Sequence, residues 1–161
     1  IDPERIGIMG FSAGGHLAST VATQPDLYHE PEDDLVESYS ARPDRLILGY
    51  PVISFVDDFA HQGSMRSLLG DDPDPTLARQ LSNQYQVTAD TPPSFLFHTA
   101  EDQGVPALNS LRFAEACLAH QVPVALHIFP KGRHGVGMAM NDPSLRVWTE
   151  NLINWLRDWT A

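Results

Sequence analysis

The sequence is poor in cysteine, in basic residues and in long apolar runs. Cys117 is the single cysteine among 161 residues, which excludes an intrachain disulfide and a cysteine-based zinc site. Ten basic residues stand against twenty-one acidic ones, and the resulting formal charge of −11 repels nucleic acid and anionic membrane surfaces. No apolar run approaches the length of a membrane-spanning helix. We therefore expect no nucleic-acid partner and no membrane span.

The composition is that of one compact domain, with 42% hydrophobic and 19% charged residues. The chain opens on Ile1, with neither an initiator methionine nor a signal peptide. A strand-like apolar pattern begins only a few residues later, at Arg5. We therefore expect residues 1–161 to be the C-terminal part of a single larger domain.

Four short runs are apolar nearly throughout, which is typical of buried parallel strands. They are Arg5–Phe11, Arg45–Pro51, Ser94–Thr99 and Val124–Phe129.

Helical spacings follow the first, third and fourth runs. Shared faces are formed by Leu17 with Val21, by Leu108, Leu111, Glu115 and Leu118, and by Leu145, Trp148, Leu152, Trp155 and Trp159. Asp142 and Pro143 suit the cap and first position of the last helix. Strands that alternate with helices predict an α/β fold, a doubly wound and mostly parallel sheet with helices on both faces.

Two segments do not fit regular layers. Residues 24–41 are rich in acidic side chains, without a basic one before Arg42, and are predicted to form a solvated loop. Residues 57–93 form a long excursion between the second and third strands, with short helices expected at Ser64–Leu69 and Pro75–Ser82. Such insertions at the carboxyl edge of a sheet often shape a substrate pocket.

A G-x-S-x-G pentapeptide spans Gly10 to Gly14, at the end of the first strand and the start of a helix. This setting is typical of a nucleophile elbow, in which a sharp turn exposes the serine, here Ser12. We expect Gly10 and Gly14 to remove side chains that would collide in the turn, and the backbone N–H of Ala13 to bind an oxyanion. The alternative is a glycine-rich helix start with a capping serine.

A serine nucleophile needs a base, and the base needs a group that orients it. His134 lies in a glycine-flanked loop after the fourth strand, and Asp102 lies after the third. Both loops come to the sheet edge that carries Ser12, in the chain order serine, acid, histidine. Glu101 is a direct rival of Asp102 for the acid.

Other titratable residues suggest simpler roles. Asp57 and Asp58, after the second strand, are a weaker alternative for the acid. His16 is expected to pack near the site, His98 to be a hydrogen-bonded core residue, and Cys117 to fill the core. The remaining histidines show no ligand spacing, so we predict neither a metal nor another cofactor.

The chain resembles the α/β-hydrolase superfamily, and within it the esterase/lipase branch that contains bacterial acetyl-xylan and feruloyl esterase-like proteins. The segments that carry the resemblance are IDPERIGIMGFSAGGHLAS, GYPVISF, HQGSMRSLLG, TPPSFLFHTAEDQGVPALNSLRFAEACL and VALHIFPKGRHGVG. The resemblance implies a serine hydrolase that cleaves carboxylic esters, with Ser12 as nucleophile, Asp102 as acid and His134 as base. It also implies small-molecule or polysaccharide-linked ester substrates and allows a secreted or periplasmic location.

Two other functions remain open from the sequence: a serine peptidase of the oligopeptidase kind, and a non-catalytic hydrolase-like binding module. The chain departs from the family before the elbow, where the earlier strands and the His-Gly-Gly type loop are missing. Since that loop supplies further oxyanion donors, we expect residues 1–161 alone to be weakly active.

Overall fold

Four parallel strands form one sheet in the computed structural model, which describes residues 2–27 and 39–160. The strands are β1 (Gly7–Phe11), β2 (Arg45–Gly49), β3 (Ser94–Thr99) and β4 (Val124–Phe129). The helices are α1 (Ala13–Thr23), α2 (Gln62–Leu69), α3 (Pro75–Gln80), α4 (Leu108–Ala119) and α5 (Val147–Arg157). Short 3₁₀ turns occupy Asn83–Tyr85 and Asp158–Thr160. Most of the predicted acidic loop 24–41 lies outside the described residues.

The strands lie side by side in chain order, β1-β2-β3-β4. Their registers, for example Phe11 beside Gly49 and Thr99 beside Phe129, bring the carboxyl ends to one edge. All four predicted strands are present, although β1 begins two residues later and β2 ends two residues earlier than expected. This sheet edge receives the loops that hold Ser12, Asp102 and His134.

The two middle strands, β2 and β3, are more buried than the two outer strands, β1 and β4. Every residue of β3 is buried, and so is every residue of β2 except its first. Residues of β1 and β4 are mostly half-buried, and Met9 is 40% exposed. The expectation of buried strands is therefore wrong for most residues of β1 and β4, because each of these strands pairs with one described neighbour only.

Helices occur where the spacing predicts them, but the leucines of α1 and α4 face outward. Leu17 is 65% exposed and Leu118 is 68% exposed. The buried face of α4 is formed instead by Asn109, Ser110, Phe113, Ala114 and Cys117. Asn109 and Ser110 are buried because their side chains find hydrogen-bond partners inside, Asn109 with the N–H groups of Ile53 and Ser54 and Ser110 with His98.

The last helix begins later than predicted. Asp142 Oδ1 accepts the N–H groups of Ser144 and Leu145 at 2.8 and 3.2 Å, so Asp142 caps a turn that precedes α5. Its expected apolar stripe packs as predicted, since Leu145, Trp148 and Leu152 are buried beneath the sheet. Within residues 2–27 and 39–160, no helix combines the length and apolarity needed to cross a bilayer.

Candidate active site

Ser12 occupies a strained turn between β1 and α1. Its φ of 53° and ψ of −122° lie in a region that non-glycine residues rarely adopt. The turn is held by the N–H of Ser12, which donates to Gly49 O at 3.0 Å, and by Ser12 O, which accepts from Gly15 and Val52. The side chain makes no capping bond to α1. Its hydroxyl is therefore available at the sheet edge, unlike that of a capping serine.

The steric role of the glycines differs partly from the prediction. A Cβ at Gly10 would lie 2.1 Å from Gly14 O, so this position requires glycine. A Cβ at Gly14 would meet no described atom within 4 Å, which corrects the expected collision there. The second tight position is Gly15, where a Cβ would lie 2.7 Å from Pro51 Cβ. The start of α1 packs closely against Pro51, in the loop after β2. The second position that requires glycine is therefore Gly15 and not Gly14.

The structure brings Ser12, His134 and Asp102 together. Ser12 Oγ lies 2.8 Å from His134 Nε2, and His134 Nδ1 lies 2.7 Å from Asp102 Oδ2. A carboxylate only accepts, so Nδ1 carries the imidazole proton and Nε2 is left to accept the serine hydroxyl. This is the proton path that general-base activation of a serine needs.

Asp102 is fixed in a short loop after β3. Its Oδ1 accepts the N–H groups of Gly104 and Val105, each at 2.9 Å. A Cβ at Gly104 would come within 3.1 Å of the His134 ring, so glycine there lets the histidine approach. Sequence reasoning missed both backbone donors, although an aspartate two residues before a glycine is a typical turn signal.

His98 is the second histidine beside the same carboxylate. Its Nε2 lies 2.9 Å from Val105 O and 3.4 Å from Asp102 Oδ2, and both of these atoms are acceptors. The proton is therefore on Nε2, and Nδ1 accepts the Ser110 hydroxyl at 2.8 Å. His98 is fully buried, and this burial lowers its pKa. The prediction of a hydrogen-bonded core histidine is confirmed.

Two contacts outside the predicted set hold the His134 loop. The Gly137 N–H donates to the Tyr50 hydroxyl at 2.9 Å, and the Thr99 hydroxyl donates to Gly132 O at 2.8 Å. The Tyr50 ring meets the His134 ring edge-on, with 5.1 Å between centroids. Tyr50 also has a left-handed φ of 38°, and burial raises the pKa of its hydroxyl. Nothing in the spacing of the sequence marks Tyr50.

The rival acids lie elsewhere. Asp57 accepts from Ser54 Oγ and Gln84 Nε2, each at 2.6 Å, and from the Tyr85 hydroxyl at 2.9 Å. Glu101 and Asp58 are exposed side chains. Asp102 is thus the carboxylate that contacts His134 in this structure.

The structure also positions the other residues that the sequence analysis singled out. The Ala13 N–H begins α1 beside Ser12 and donates no hydrogen bond within the described part of the chain. His16 is buried, with its Nε2 2.7 Å from Leu81 O and its ring stacked on Phe55. Cys117 is fully buried, and burial raises the pKa of its thiol to about 12. Across residues 2–27 and 39–160, no cluster of three or more His, Cys, Asp or Glu side chains is placed to hold a metal ion.

Known proteins are similar to this chain in sequence and in fold. Residues 1–117 match the BD-FAE family. The chain is 34% identical to an acetylxylan esterase from Xylanibacter ruminicola, over 98% of this chain and 31% of that protein. It is 38% identical to endo-1,4-beta-xylanase B from Butyrivibrio fibrisolvens, over 92% of this chain and 23% of that protein.

A known crystal structure is similar to this chain in its fold as well. The acetyl ester-xyloside bifunctional hydrolase from Caldicellulosiruptor lactoaceticus superposes with a TM-score of 0.94 at 51% identity. The match covers 99% of this chain and 58% of that one. The chain thus spans less than a third of the two curated relatives and little more than half of this crystallised one.

The parallel sheet and its structural neighbours define the class: this chain has the α/β-hydrolase fold. More narrowly, it belongs to the BD-FAE family.

Proposed function

We propose that this chain carries the catalytic residues of a serine hydrolase that cleaves carboxylic esters. The contact that carries the proposal is the 2.8 Å hydrogen bond between Ser12 Oγ and His134 Nε2, with Asp102 behind it. Relatives named as an acetylxylan esterase and an acetyl ester-xyloside hydrolase support esters as the substrate class. Esters attached to plant polysaccharides would be natural substrates for the whole protein.

The reaction proceeds through an acyl-serine. Ser12 Oγ attacks the ester carbonyl carbon while His134 Nε2 takes the hydroxyl proton, and the carbonyl oxygen becomes an oxyanion at the Ala13 N–H. The tetrahedral intermediate collapses when the C–O bond to the alcohol breaks, and His134 returns its proton to the departing oxygen. Water, deprotonated by His134, then attacks the acyl carbon, the bond from this carbon to Ser12 Oγ breaks, and His134 returns the proton to Oγ as the acid leaves. Asp102 orients the imidazole and stabilises its charged form throughout.

We also propose that residues 1–161 form the C-terminal part of the catalytic domain. The crystallised relative is longer than the matched region, since the match covers 58% of it. Within the described residues β1 pairs only with β2, and Ile6 and Met9 beside its free edge are 51% and 40% exposed. A second oxyanion donor would then come from outside residues 1–161, and their own activity would be weak.

Labelling with a fluorophosphonate tests the nucleophile, because this reagent forms a stable bond only with an activated serine. We expect intact-mass measurement to show one adduct on the unmodified chain and none on Ser12→Ala. Ser144→Ala removes an exposed serine and serves as the matched control, which should label like the parent.

Labelling that persists in Ser12→Ala would contradict the proposal, and so would a folded parent that never labels. Once Ser12 labels, a peptide and an ester substrate separate the peptidase alternative from the esterase. A chain that labels but turns over neither would favour the binding-module alternative.

A further inference from the structure

A cleft of about 640 Å³ lies between α1 and α2, beside the proposed nucleophile. Leu17 of α1 forms one wall, and Ser67 and Leu68 of α2 form the other. Phe55 and Leu81, both buried in the core below, form its floor. Leu17 and Leu68 are 65% and 58% exposed, so two large apolar side chains face open space here. A ligand that covered them would gain hydrophobic stabilisation.

One end of the cleft lies next to the proposed nucleophile. Ala13, whose N–H lies beside Ser12, lines the cleft, whereas no residue of the His134 loop lines it. His134 must reach the departing alcohol oxygen to protonate it, so the alcohol lies on the His134 side. The acyl group is attached to the same carbonyl carbon and extends away from the alcohol. With the oxyanion held at the Ala13 N–H, the acyl group extends past Ala13 into the cleft that this residue lines.

We propose that this α1–α2 cleft is the acyl-binding site, and that it accepts uncharged, apolar acyl groups longer than acetyl. This inference rests on the proposed function, since it places the acyl group relative to Ser12 and His134. An acetyl group would fill only the end near Ala13. A longer chain would cover Leu17 and Leu68.

Helix α2, which forms one wall of the cleft, is held in place by a helix cap and by packing. A selective binding site requires such rigid walls. His61 Nδ1 accepts the Ser64 N–H at 3.1 Å and so caps the helix. Met65 and Leu69 pack against the buried cluster that contains Phe55 and Leu81. The opposite side of the helix, with Ser67 and Leu68, is left to face the cleft.

The lining also excludes charged acyl groups. Of the described residues that line the cleft, none is a lysine, arginine, aspartate or glutamate, and the titratable ones are His16 and His61. His16 already uses its Nε2 on Leu81 O, and His61 uses its Nδ1 on the helix cap. A carboxylate-bearing acyl group would find no cation to pair with and would lose its hydration.

Filling the cleft tests the proposal. Ser67→Trp places a large ring in it, and Arg66→Trp places the same ring on the neighbouring exposed position, which does not line the cleft. We measure kcat/KM for 4-nitrophenyl octanoate and 4-nitrophenyl acetate. The octanoate-to-acetate ratio should fall by about 10-fold or more in Ser67→Trp and stay within about 2-fold in Arg66→Trp.

A binding measurement makes the test independent of turnover. Binding of octanamide, an uncharged probe with the same chain, followed by calorimetry, should weaken in Ser67→Trp and not in Arg66→Trp. Leu68→Asp, at an exposed position, should also weaken it and serves if Ser67→Trp does not fold.

The outcomes separate the two proposals. Hydrolysis of both esters with an unchanged ratio overturns the acyl site and leaves the esterase proposal standing. Octanamide binding that depends on Ser67, in a chain without Ser12 labelling, overturns the esterase and keeps the cleft as a binding site. Octanamide binding that is absent, or equal in all variants, overturns the cleft.

Discussion

Ser12 lies between two regions of opposite chemical character. On the His134 side, polar contacts of 2.7 to 2.9 Å hold every group that would handle a proton. On the α2 side, the walls are leucine, phenylalanine and serine, and no charged group lines the cleft among the described residues.

This difference suggests that the two regions have separate roles, one in the rate of the reaction and the other in its selectivity. In the proposed mechanism, hydrogen bonds on the His134 side fix the position of the base, which affects the rate for every ester equally. Apolar walls on the α2 side contact only the acyl group, which differs between esters. Substitutions on the two sides should therefore separate rate from selectivity.

The largest expected effect comes from Asp102→Asn. An asparagine amide in place of Oδ2 would donate to His134 Nδ1 and force the imidazole proton onto Nε2, where it blocks the serine hydroxyl. We expect kcat/KM to fall by about 10⁴-fold for both 4-nitrophenyl acetate and octanoate, with their ratio unchanged. Steady-state kinetics with the two esters measures this.

Glu101→Gln is the matched control, because Glu101 is the exposed acid next in the chain. It should retain the activity of the parent. If Glu101→Gln loses the activity and Asp102→Asn keeps it, the acid has been assigned to the wrong residue.

A smaller effect is expected from Tyr50→Phe. The substitution keeps the ring against His134 and removes the hydroxyl that accepts the Gly137 N–H. Loss of one hydrogen bond of about 1 kcal/mol in the histidine loop should lower kcat/KM by about 5-fold, again equally for both esters. Tyr39→Phe, at a tyrosine that is 79% exposed, should leave both rates unchanged. A loss confined to octanoate would instead place Tyr50 on the acyl side.

Much of the polar region could be predicted from the sequence, because each element carries a local signal. Apolar runs marked the strands, and the G-x-S-x-G pentapeptide marked the turn at Ser12. Chain order then placed Asp102 and His134 at the same sheet edge, where the structure has them.

The contacts that link distant segments could not be predicted. Asn109 Oδ1 accepts the N–H groups of Ile53 and Ser54, more than fifty residues earlier, which turns a polar face of α4 inward and its leucines outward. Tyr50 reaches Gly137 from a backbone conformation that no residue preference for tyrosine suggests. Such contacts depend on how the elements pack, and a residue pattern along the chain does not contain that information.

An effect on stability rather than on activity concerns water exclusion, which both sides of Ser12 share. His98 lies behind the polar side and His16 behind the cleft, and burial lowers the pKa of each below 6.5. The folded chain keeps both uncharged, because Nε2–H already donates to a carbonyl and a second proton would bring a charge into the interior. The unfolded chain binds those protons as pH falls through about 6.5, so acid lowers the free energy of unfolding.

Replacing either histidine with glutamine separates the two contributions, since its amide N–H can donate to the same carbonyl and does not titrate. We expect the fall in the free energy of unfolding between about pH 6.5 and 5 to become less steep in His98→Gln and in His16→Gln, by up to about 1.4 kcal/mol per pH unit each. Urea unfolding at a series of pH values measures the slope. A change in His98→Gln alone would mean that water reaches His16 through the cleft, and the proposed acyl site would then be wetter than its apolar walls suggest. Equal changes of slope in both variants would mean that water is excluded equally from His98 and His16, although the two sides of Ser12 differ in polarity.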